Sequence, residues 1–148
     1  MKIIGFGLSK VSYERKNPIK GKIEIKSGLN IDNISKEDLQ ISENDSLKFD
    51  FTYEINYNPD IASIIIKGSV IAVDDKKESK EILKDWKKKK FDHPIKLNIF
   101  NFIMDKCNLK SLLMEEELGL PLHIPMPKLA PKPSASDSKS ENKANYAG

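Results

Sequence analysis

Hydrophobic and polar positions alternate most regularly in the middle of the chain. Six apolar side chains share one face of this stretch: Leu47, Phe49, Phe51, Tyr53, Ile55 and Tyr57. Polar residues separate them, and this period of two predicts a strand with one buried face. Turn residues Asn58, Pro59 and Asp60 follow, and "IASIIIKGSVIAV" then continues with apolar residues on both faces. This pattern predicts a hairpin whose second strand lies inside the sheet.

The N-terminal part of the chain predicts two further strands. Its apolar alternation changes phase by one residue at Ser9 and Lys10, which predicts a first strand with a β-bulge. Apolar positions between Ile23 and Ile34 predict a second strand with an irregular continuation. The polar stretch 35–46 predicts a loop with at most a short turn of helix.

The hydrophobic period lengthens to that of a helix after the hairpin. In "KKESKEILKDWKKKK", Ile82, Leu83 and Trp86 form one narrow stripe among charged residues, which predicts a surface helix. A second helix is predicted between Asp92, a candidate N-cap, and Gly119, a candidate C-terminal stop. Its apolar surface is unusually wide, so we expect it to make contacts on two sides.

An apolar arm and a polar tail are predicted after the long helix. The arm is 120–129, in which apolar residues alternate with three prolines and His123. Its apolar side chains favour packing in a groove, and the prolines reduce the entropy lost on docking. The groove is either the chain's own sheet and helix or a cleft that also accepts other polypeptides. Residues 130–148 are rich in Pro, Ser, Ala, Lys and Asn, which predicts a disordered tail.

Composition restricts the class of protein further. With 148 residues the chain has the size of one domain, and 39% hydrophobic and 32% charged residues are typical of a globular protein with a charged surface. The longest apolar run, 61–66, is too short to span a membrane, and the N-terminus lacks the zones of a signal peptide. We therefore expect a cytoplasmic protein without membrane insertion. Because Cys107 is the only cysteine, no disulfide within the chain is expected.

The sequence contains no pattern typical of an enzyme. The two histidines, His93 and His123, have no Ser or Cys at the spacing of a nucleophile motif, and their separation gives almost no signal for a metal site. Phosphate-binding and nucleophile-elbow motifs do not occur in the sequence. The consecutive glutamates 115–117 would point around a helix and not toward one substrate. We expect a non-enzymatic protein with no cofactor and no metal.

The order of elements resembles that of the SecB family of bacterial export chaperones. Three segments carry the resemblance: "KVSYE", "FDFTYEINYNPDIASIIIKGSVIA" and "FNFIMDKCNLKSLLMEEELGLPLHIPMPKL". It implies an α+β fold, with an antiparallel four-stranded sheet on which a short charged helix and a long apolar helix pack. This domain would span 1–119, and the chain would assemble as a dimer or tetramer.

The resemblance also implies a function. SecB-like proteins are holdases that bind unfolded or nascent polypeptides through apolar surface. The candidate peptide-binding residues are Phe6, Leu8, Phe49, Phe51, Tyr53, Leu120, Leu122, Ile124 and Met126. The strand aromatics among them suit a hydrophobic core at least as well. The family's zinc-binding tail has no counterpart here, because residues 130–148 lack Cys and His, so a role in protein transport through the translocase motor is doubtful.

Two other functions remain open. A ribosome- or RNA-associated protein could use a basic tail and a basic cluster made of Lys84, Trp86, Lys87, Lys88, Lys89 and Lys90. Lysines at the last turn of a helix are also stabilised by its dipole, so a solvated helix end is the favoured interpretation of this cluster. Binding to RNA would weaken steeply with salt, whereas binding through apolar surface would tolerate it. A small protein-protein adaptor is the third possibility, and it would have a single stoichiometric partner.

Overall fold

The computed structural model describes residues 1–38 and 45–131, which form a four-stranded antiparallel sheet and two helices. The strands are β1 (Lys2–Arg15), β2 (Glu24–Glu37), β3 (Asp45–Asn58) and β4 (Ala62–Asp74), and the helices are α1 (Lys76–Lys87) and α2 (Ile95–Glu117). The order across the sheet is β1-β4-β3-β2, so β1 and β2 form its two edges. The predicted α+β fold class is confirmed.

The predicted hairpin is the centre of the sheet. All six apolar residues of the β3 alternation are buried, each with at most 1% of its surface exposed. They pair with the buried residues of β4, as in Tyr53 opposite Ile66 and Phe49 opposite Val70. Polar and partly exposed residues of both strands occupy the opposite face of the sheet. The hydrophobic core therefore lies between one face of the sheet and the helices.

Strand β1 has the predicted bulge and approaches β4 closely beside it. The register of β1 on β4 shifts between Leu8 and Lys10, where the sequence changes phase. Gly68 of β4 lies at this point, and a Cβ atom there would be 2.3 Å from the backbone oxygen of Gly7. Because that atom belongs to the backbone, it could move only with the strand. Glycine at 68 is thus required by the contact of the two strands.

Strands β2 and β3 are longer than the sequence indicates. Ser35 pairs with Lys48, and Lys36 pairs with Leu47, so the ends of the stretch 35–46 are strand and not loop. Their polar side chains are compatible with an edge strand, because pairing with the well-defined β3 supplies the backbone hydrogen bonds. The rest of the expected loop, residues 39–44, lies outside the described residues, as do 132–148 of the predicted tail.

Helix α1 begins as its sequence suggests, but α2 begins differently. The Asp75 side chain accepts a hydrogen bond of 2.8 Å from the backbone N–H of Glu78, which is an N-cap contact. Asp92 does not cap α2, and the Nδ1 atom of His93 accepts from the backbone N–H of Ile95 at 3.2 Å instead. Asp92 was expected to cap α2 because Ser, Thr, Asp and Asn are the usual N-cap residues. That expectation was wrong, because the side chain that contacts the start of the helix is an imidazole.

Buried residues recur every four positions along α2: Ile95, Ile99, Ile103, Cys107, Ser111 and Glu115. A stripe of this spacing winds slowly around a helix, so different sides of α2 face the sheet at its two ends. Among the described residues, no helix is long and apolar enough to cross a membrane.

Candidate functional site

The start of the apolar arm packs on its own chain directly after α2, whereas Leu122, Met126 and Leu129 are exposed, against the expectation that the whole arm packs in a groove. Leu120 is buried with 6% of its surface exposed, and its backbone N–H donates to the carbonyl of Glu115 at 2.9 Å. The hydroxyl of Tyr57 donates to the backbone carbonyl of Pro121. Proline has no N–H, so the carbonyl is the only backbone group of this residue that a hydrogen bond can reach. Residues 120 and 121 are thus held by β3 and α2 of the same molecule.

A buried carboxylate holds the next part of the arm. The Glu115 side chain is fully buried, and its Oε1 atom accepts from the backbone N–H of His123 at 3.0 Å. Its Oε2 atom lies 2.6 Å from Nδ1 of the His123 ring, whose side chain is 5% exposed. Two contacts to one carboxylate satisfy a group whose burial alone would be costly.

The other side of the His123 ring contacts the core. Its Nε2 atom lies 3.1 Å from Oδ1 of Asn108 and 3.1 Å from the hydroxyl of Tyr53. That hydroxyl donates to the same Asn108 oxygen at 2.6 Å. Burial raises the pKa of Tyr53 to about 12, so this donor keeps its proton at neutral pH.

These four residues, Tyr53, Asn108, Glu115 and His123, are called the arm network below. Both ring nitrogens of His123 lie within hydrogen-bond distance of oxygen atoms of the other three residues. The Glu115 and His123 side chains at its centre are almost completely buried, and the network fixes the start of the arm on β3 and α2.

Sequence reasoning missed Glu115 because it stands among three consecutive glutamates. A signal was present, since Glu115 follows Cys107 by eight residues and Ser111 by four, on the buried stripe of α2. A carboxylate on such a stripe indicates a buried polar contact. Its partner, His123, was identified only as one member of an uninformative pair of histidines.

The C-terminal end of α2 is also bound to the edge strand β1. The guanidinium of Arg15 donates to the carbonyl of Leu118 at 2.8 Å and to that of Gly119 at 3.3 Å. A cation at this end satisfies carbonyls that lack a partner in the helix and complements the helix dipole. Next to it, the hydroxyl of Tyr13 donates to the Glu117 carboxylate at 2.7 Å.

An exposed apolar strip lies between α2 and β1. One face of α2 contacts β1 at two points, where Phe102 packs edge-on against Phe6 at 5.6 Å and where Glu117 meets Tyr13. Leu109 and Leu113 lie between these points on the same helical face, at positions seven and eleven after Phe102. They are 66% and 61% exposed.

Two residues of β1 extend this strip. Val11 and Tyr13 pair with the buried β4 residues Ile66 and Ile64, so they stand on the helix-covered face of the sheet, yet they are 44% and 38% exposed. The edge strip is defined here as Val11, Tyr13, Leu109 and Leu113. It borders β1, which is an edge strand of the sheet formed by residues 1–38 and 45–131, so the outer backbone groups of β1 pair with no other strand of that sheet.

The candidate peptide-binding residues fall into three groups. Phe49, Phe51, Tyr53 and Leu120 are buried, which favours the core role that their pattern also allowed. Phe6, Leu8 and Ile124 are partly buried, and Leu122 and Met126 are exposed. A polypeptide on the surface could therefore touch the second and third groups but not the first.

The candidate basic residues lie on and beyond α1. Lys84 and Lys87 are in its last turn, and the N–H groups of Lys88, Lys89 and Lys90 bond back to carbonyls of residues 85 and 86. The ammonium of Lys89 lies 5.3 Å above the ring of Trp86. The helix thus ends at Lys87, and the remaining lysines form the turn that closes it.

One histidine lies near carboxylates, but its orientation opposes a cation. The potential ligand atoms of Glu78, Glu81 and His93 all lie within 4.8 Å of one another. The Nδ1 atom of His93 accepts from the N–H of Ile95 and so carries no proton, which leaves the proton on Nε2, the atom that contacts Glu78. A metal-bound imidazole needs the reverse arrangement, with the remote nitrogen donating. We assign no metal site to this group.

Comparison with known proteins supports the fold and leaves the family open. No family model matches the sequence, and no curated protein matches it. Among solved structures, the chain is similar to the Mycobacterium tuberculosis SecB-like chaperone Rv1957 in complex with a ChAD peptide from the Rv1956 HigA1 antitoxin. The TM-score is 0.50 at 9% sequence identity, over 88% of this chain and 92% of the chaperone chain. The chain therefore has a SecB-like arrangement of strands and helices.

Proposed function

We propose that this protein is a non-enzymatic, SecB-like holdase that binds unfolded or nascent polypeptides through apolar surface. The edge strip is the observation that supports this proposal most strongly. Leu109 and Leu113 expose more than half of their surface beside the free edge of β1. Leu109 and Leu113 are neighbours one helical turn apart, and grouped exposed apolar side chains mark interaction surfaces.

The edge strip suits an extended polypeptide for two reasons. The unpaired backbone groups of β1 can bond to any sequence, because they recognise main chain and not side chains. Leu109 and Leu113 can then cover every second side chain of the added strand, and they favour apolar ones. Such a site would bind many clients, with apolar content as the common requirement.

The fold similarity is consistent with this function. The solved structure of the SecB-like chaperone contains a peptide from an antitoxin. We transfer only the general property, binding of a polypeptide segment, and propose it for the edge strip and the exposed arm residues Leu122 and Met126.

Self-association is part of the proposal, as a homodimer or homotetramer. Two copies could pair through β1, or they could use other surfaces and leave β1 to clients. If added polypeptide dissociates the oligomer, client binding and self-association use the same edge of the sheet. Light scattering at several concentrations, with and without client, separates the two arrangements.

The test compares aggregation of a chemically unfolded client enzyme in the presence of the protein and its variants. Leu109→Gln and Leu113→Gln should each reduce suppression of aggregation, and the double variant should lose most of it. Glutamine maintains the helix and removes apolar surface. Leu97→Gln is the matched control, because Leu97 is 67% exposed on the same helix but near its other end. Equal activity of the double variant and the control would reject the edge strip as the client site.

A further inference from the structure

A second groove lies at the opposite edge of the sheet, between α1 and β2. Its floor is apolar and is made of Ile34, Leu83 and Trp86, and its volume is about 370 Å³. Three exposed lysines of α1 surround it: Lys80, Lys84 and Lys87. Here these six residues are called the lysine groove.

The charge of this region differs from that of the rest of the chain. Between 76 and 90 lie eight of the 25 basic residues and three of the 22 acidic residues, so this segment has a net charge of +5 and the remaining chain one of −2. In the part of the chain that the structure describes, none of the three groove lysines makes an ion pair within 4.0 Å. Within the described residues, the charge of these lysines is therefore not neutralised by a carboxylate in contact.

The floor of the groove indicates which ligand. Ile34 is buried and belongs to β2, and Leu83 belongs to α1, so two aliphatic side chains line the base. The aliphatic part of the floor suits an apolar side chain, while nucleic-acid bases need aromatic rings on which to stack, and the floor has one such ring, Trp86.

Trp86 is poorly placed to stack on a base. Its Nε1 donates to Oδ1 of Asn33 at 3.2 Å, which fixes the ring, and the Lys89 ammonium lies over the ring. This groove combines an apolar floor, a fixed aromatic ring and a rim of exposed lysines, and it is complementary to an apolar side chain flanked by carboxylates.

We propose that the lysine groove binds an acidic peptide segment, with one apolar side chain inserted between Ile34, Leu83 and Trp86 and with flanking Asp or Glu residues on the lysines. This site is separate from the edge strip, since β1 and β2 are the two opposite edges of the sheet. The lysine groove would select a ligand by its negative charge and by one inserted apolar side chain, whereas the edge strip would bind a polypeptide whatever its charge.

The chain has its own reporter for this site, because Trp86 is the only tryptophan. The probe is a short synthetic peptide in which a Leu-Phe pair is flanked by glutamates, titrated against the full chain at low salt. We expect saturable binding that changes Trp86 emission and weakens as salt rises. A peptide with Gly-Ser in place of Leu-Phe should bind several-fold more weakly, and a lysine-flanked peptide should not bind.

Charge reversal then identifies the lysines that matter. Lys84→Glu combined with Lys87→Glu should weaken peptide binding at least about tenfold. Lys20→Glu combined with Lys22→Glu is the matched control, since both lysines are exposed in the connection between β1 and β2. The Leu109→Gln and Leu113→Gln variant should keep full binding, which distinguishes this site from the proposed client site.

Three results would overturn the proposal. One is absence of saturable binding by the glutamate-flanked peptide. Another is equal loss in the control pair, which would indicate only a general charge effect. The third is tighter binding of a single-stranded RNA that displaces the peptide, which would assign the lysines to nucleic acid instead.

Discussion

Replacement of His123 by alanine tests whether the arm network holds the arm on the body of the protein. The substitution removes the ring that lies 2.6 Å from Glu115 and 3.1 Å from Asn108. If the arm stays in place, Glu115 remains fully buried and keeps the backbone N–H of residue 123 as a partner, but it loses the ring. An uncompensated buried carboxylate is among the most destabilising consequences of a single substitution.

The magnitude follows from two limiting responses. If the arm stays in place, breaking a buried pair on one side costs about 3–5 kcal/mol. If the arm detaches, Glu115 regains water, but the burial of Leu120 is lost, which costs about 2 kcal/mol, together with the hydrogen bonds of the arm at about 1 kcal/mol each. Both responses give a loss of about 3 kcal/mol or more in the free energy of unfolding. For a chain of this length, this corresponds to a fall in Tm of about 6–12 °C.

The assay is thermal and urea unfolding of His123→Ala beside two related variants. Glu115→Gln keeps the shape of the side chain and an oxygen for the backbone N–H of His123, so it should lose less than His123→Ala. Glu116→Gln is the control, because Glu116 is the exposed neighbour on the same helix. Amide hydrogen exchange at residues 120 and 123 reports directly whether the arm is docked. Both backbone amides should exchange faster in His123→Ala than in the wild type.

The reasoning would be refuted by a small effect. A loss for His123→Ala no larger than that for Glu116→Gln would mean that the ring does not compensate the Glu115 carboxylate. Unchanged exchange at Leu120 together with a large loss would mean that the ring stabilises the core without fixing the arm.

Three further predictions concern the core. Gly68→Ala should lower the free energy of unfolding by about 2–3 kcal/mol, because its Cβ would meet the backbone oxygen of Gly7 at 2.3 Å. Gly7→Ala is the control and should change it by less than about 1 kcal/mol, because no atom of the described residues lies within 4 Å of the added Cβ. Similar melting temperatures of the two variants would contradict the contact. Burial raises the pKa of Cys107 to about 11, so a thiol reagent should modify it only as urea unfolds the protein, and rapid labelling without urea would disprove its burial. Burial raises the pKa of Tyr53 to about 12, so its contribution to the free energy of unfolding is complete below the unfolded pKa of 10 and is lost as pH rises through 12. Between neutral pH and about pH 11, the wild type should therefore lose roughly 1 kcal/mol more stability than Tyr53→Phe. Equal losses of the two proteins in urea unfolding would contradict this.

Much of the fold follows from local patterns. The alternation in β3 is regular because each apolar residue enters the core and each polar one faces outward, so the sequence alone indicates strand, core face and pairing partner. The bulge in β1 was also predictable, since one extra residue changes the phase of the alternation at Ser9 and Lys10. Helix α1 was predicted from its narrow apolar stripe, with an end a few residues too late.

The features that sequence reasoning missed depend on tertiary contacts. The ends of β2 and β3 are polar, and only their pairing with each other makes them strand. The His93 ring accepts from the N–H of Ile95 at the start of α2 and also contacts Glu78 of α1, fifteen residues away in the sequence. The exposure of Leu109 and Leu113 could not be predicted, because the wide apolar surface of α2 does not show which side the sheet covers.

The central proposal is that exposed apolar surface beside β1 binds unfolded polypeptide. The most direct measurement is the solution mass by light scattering, at low and high salt, with and without a permanently unfolded polypeptide. The proposal predicts a dimer or tetramer that takes up the polypeptide equally at both salt concentrations, and reduced uptake by the Leu109→Gln and Leu113→Gln double variant. A monomer whose mass does not change on addition of the polypeptide, or uptake that disappears at high salt, would contradict it.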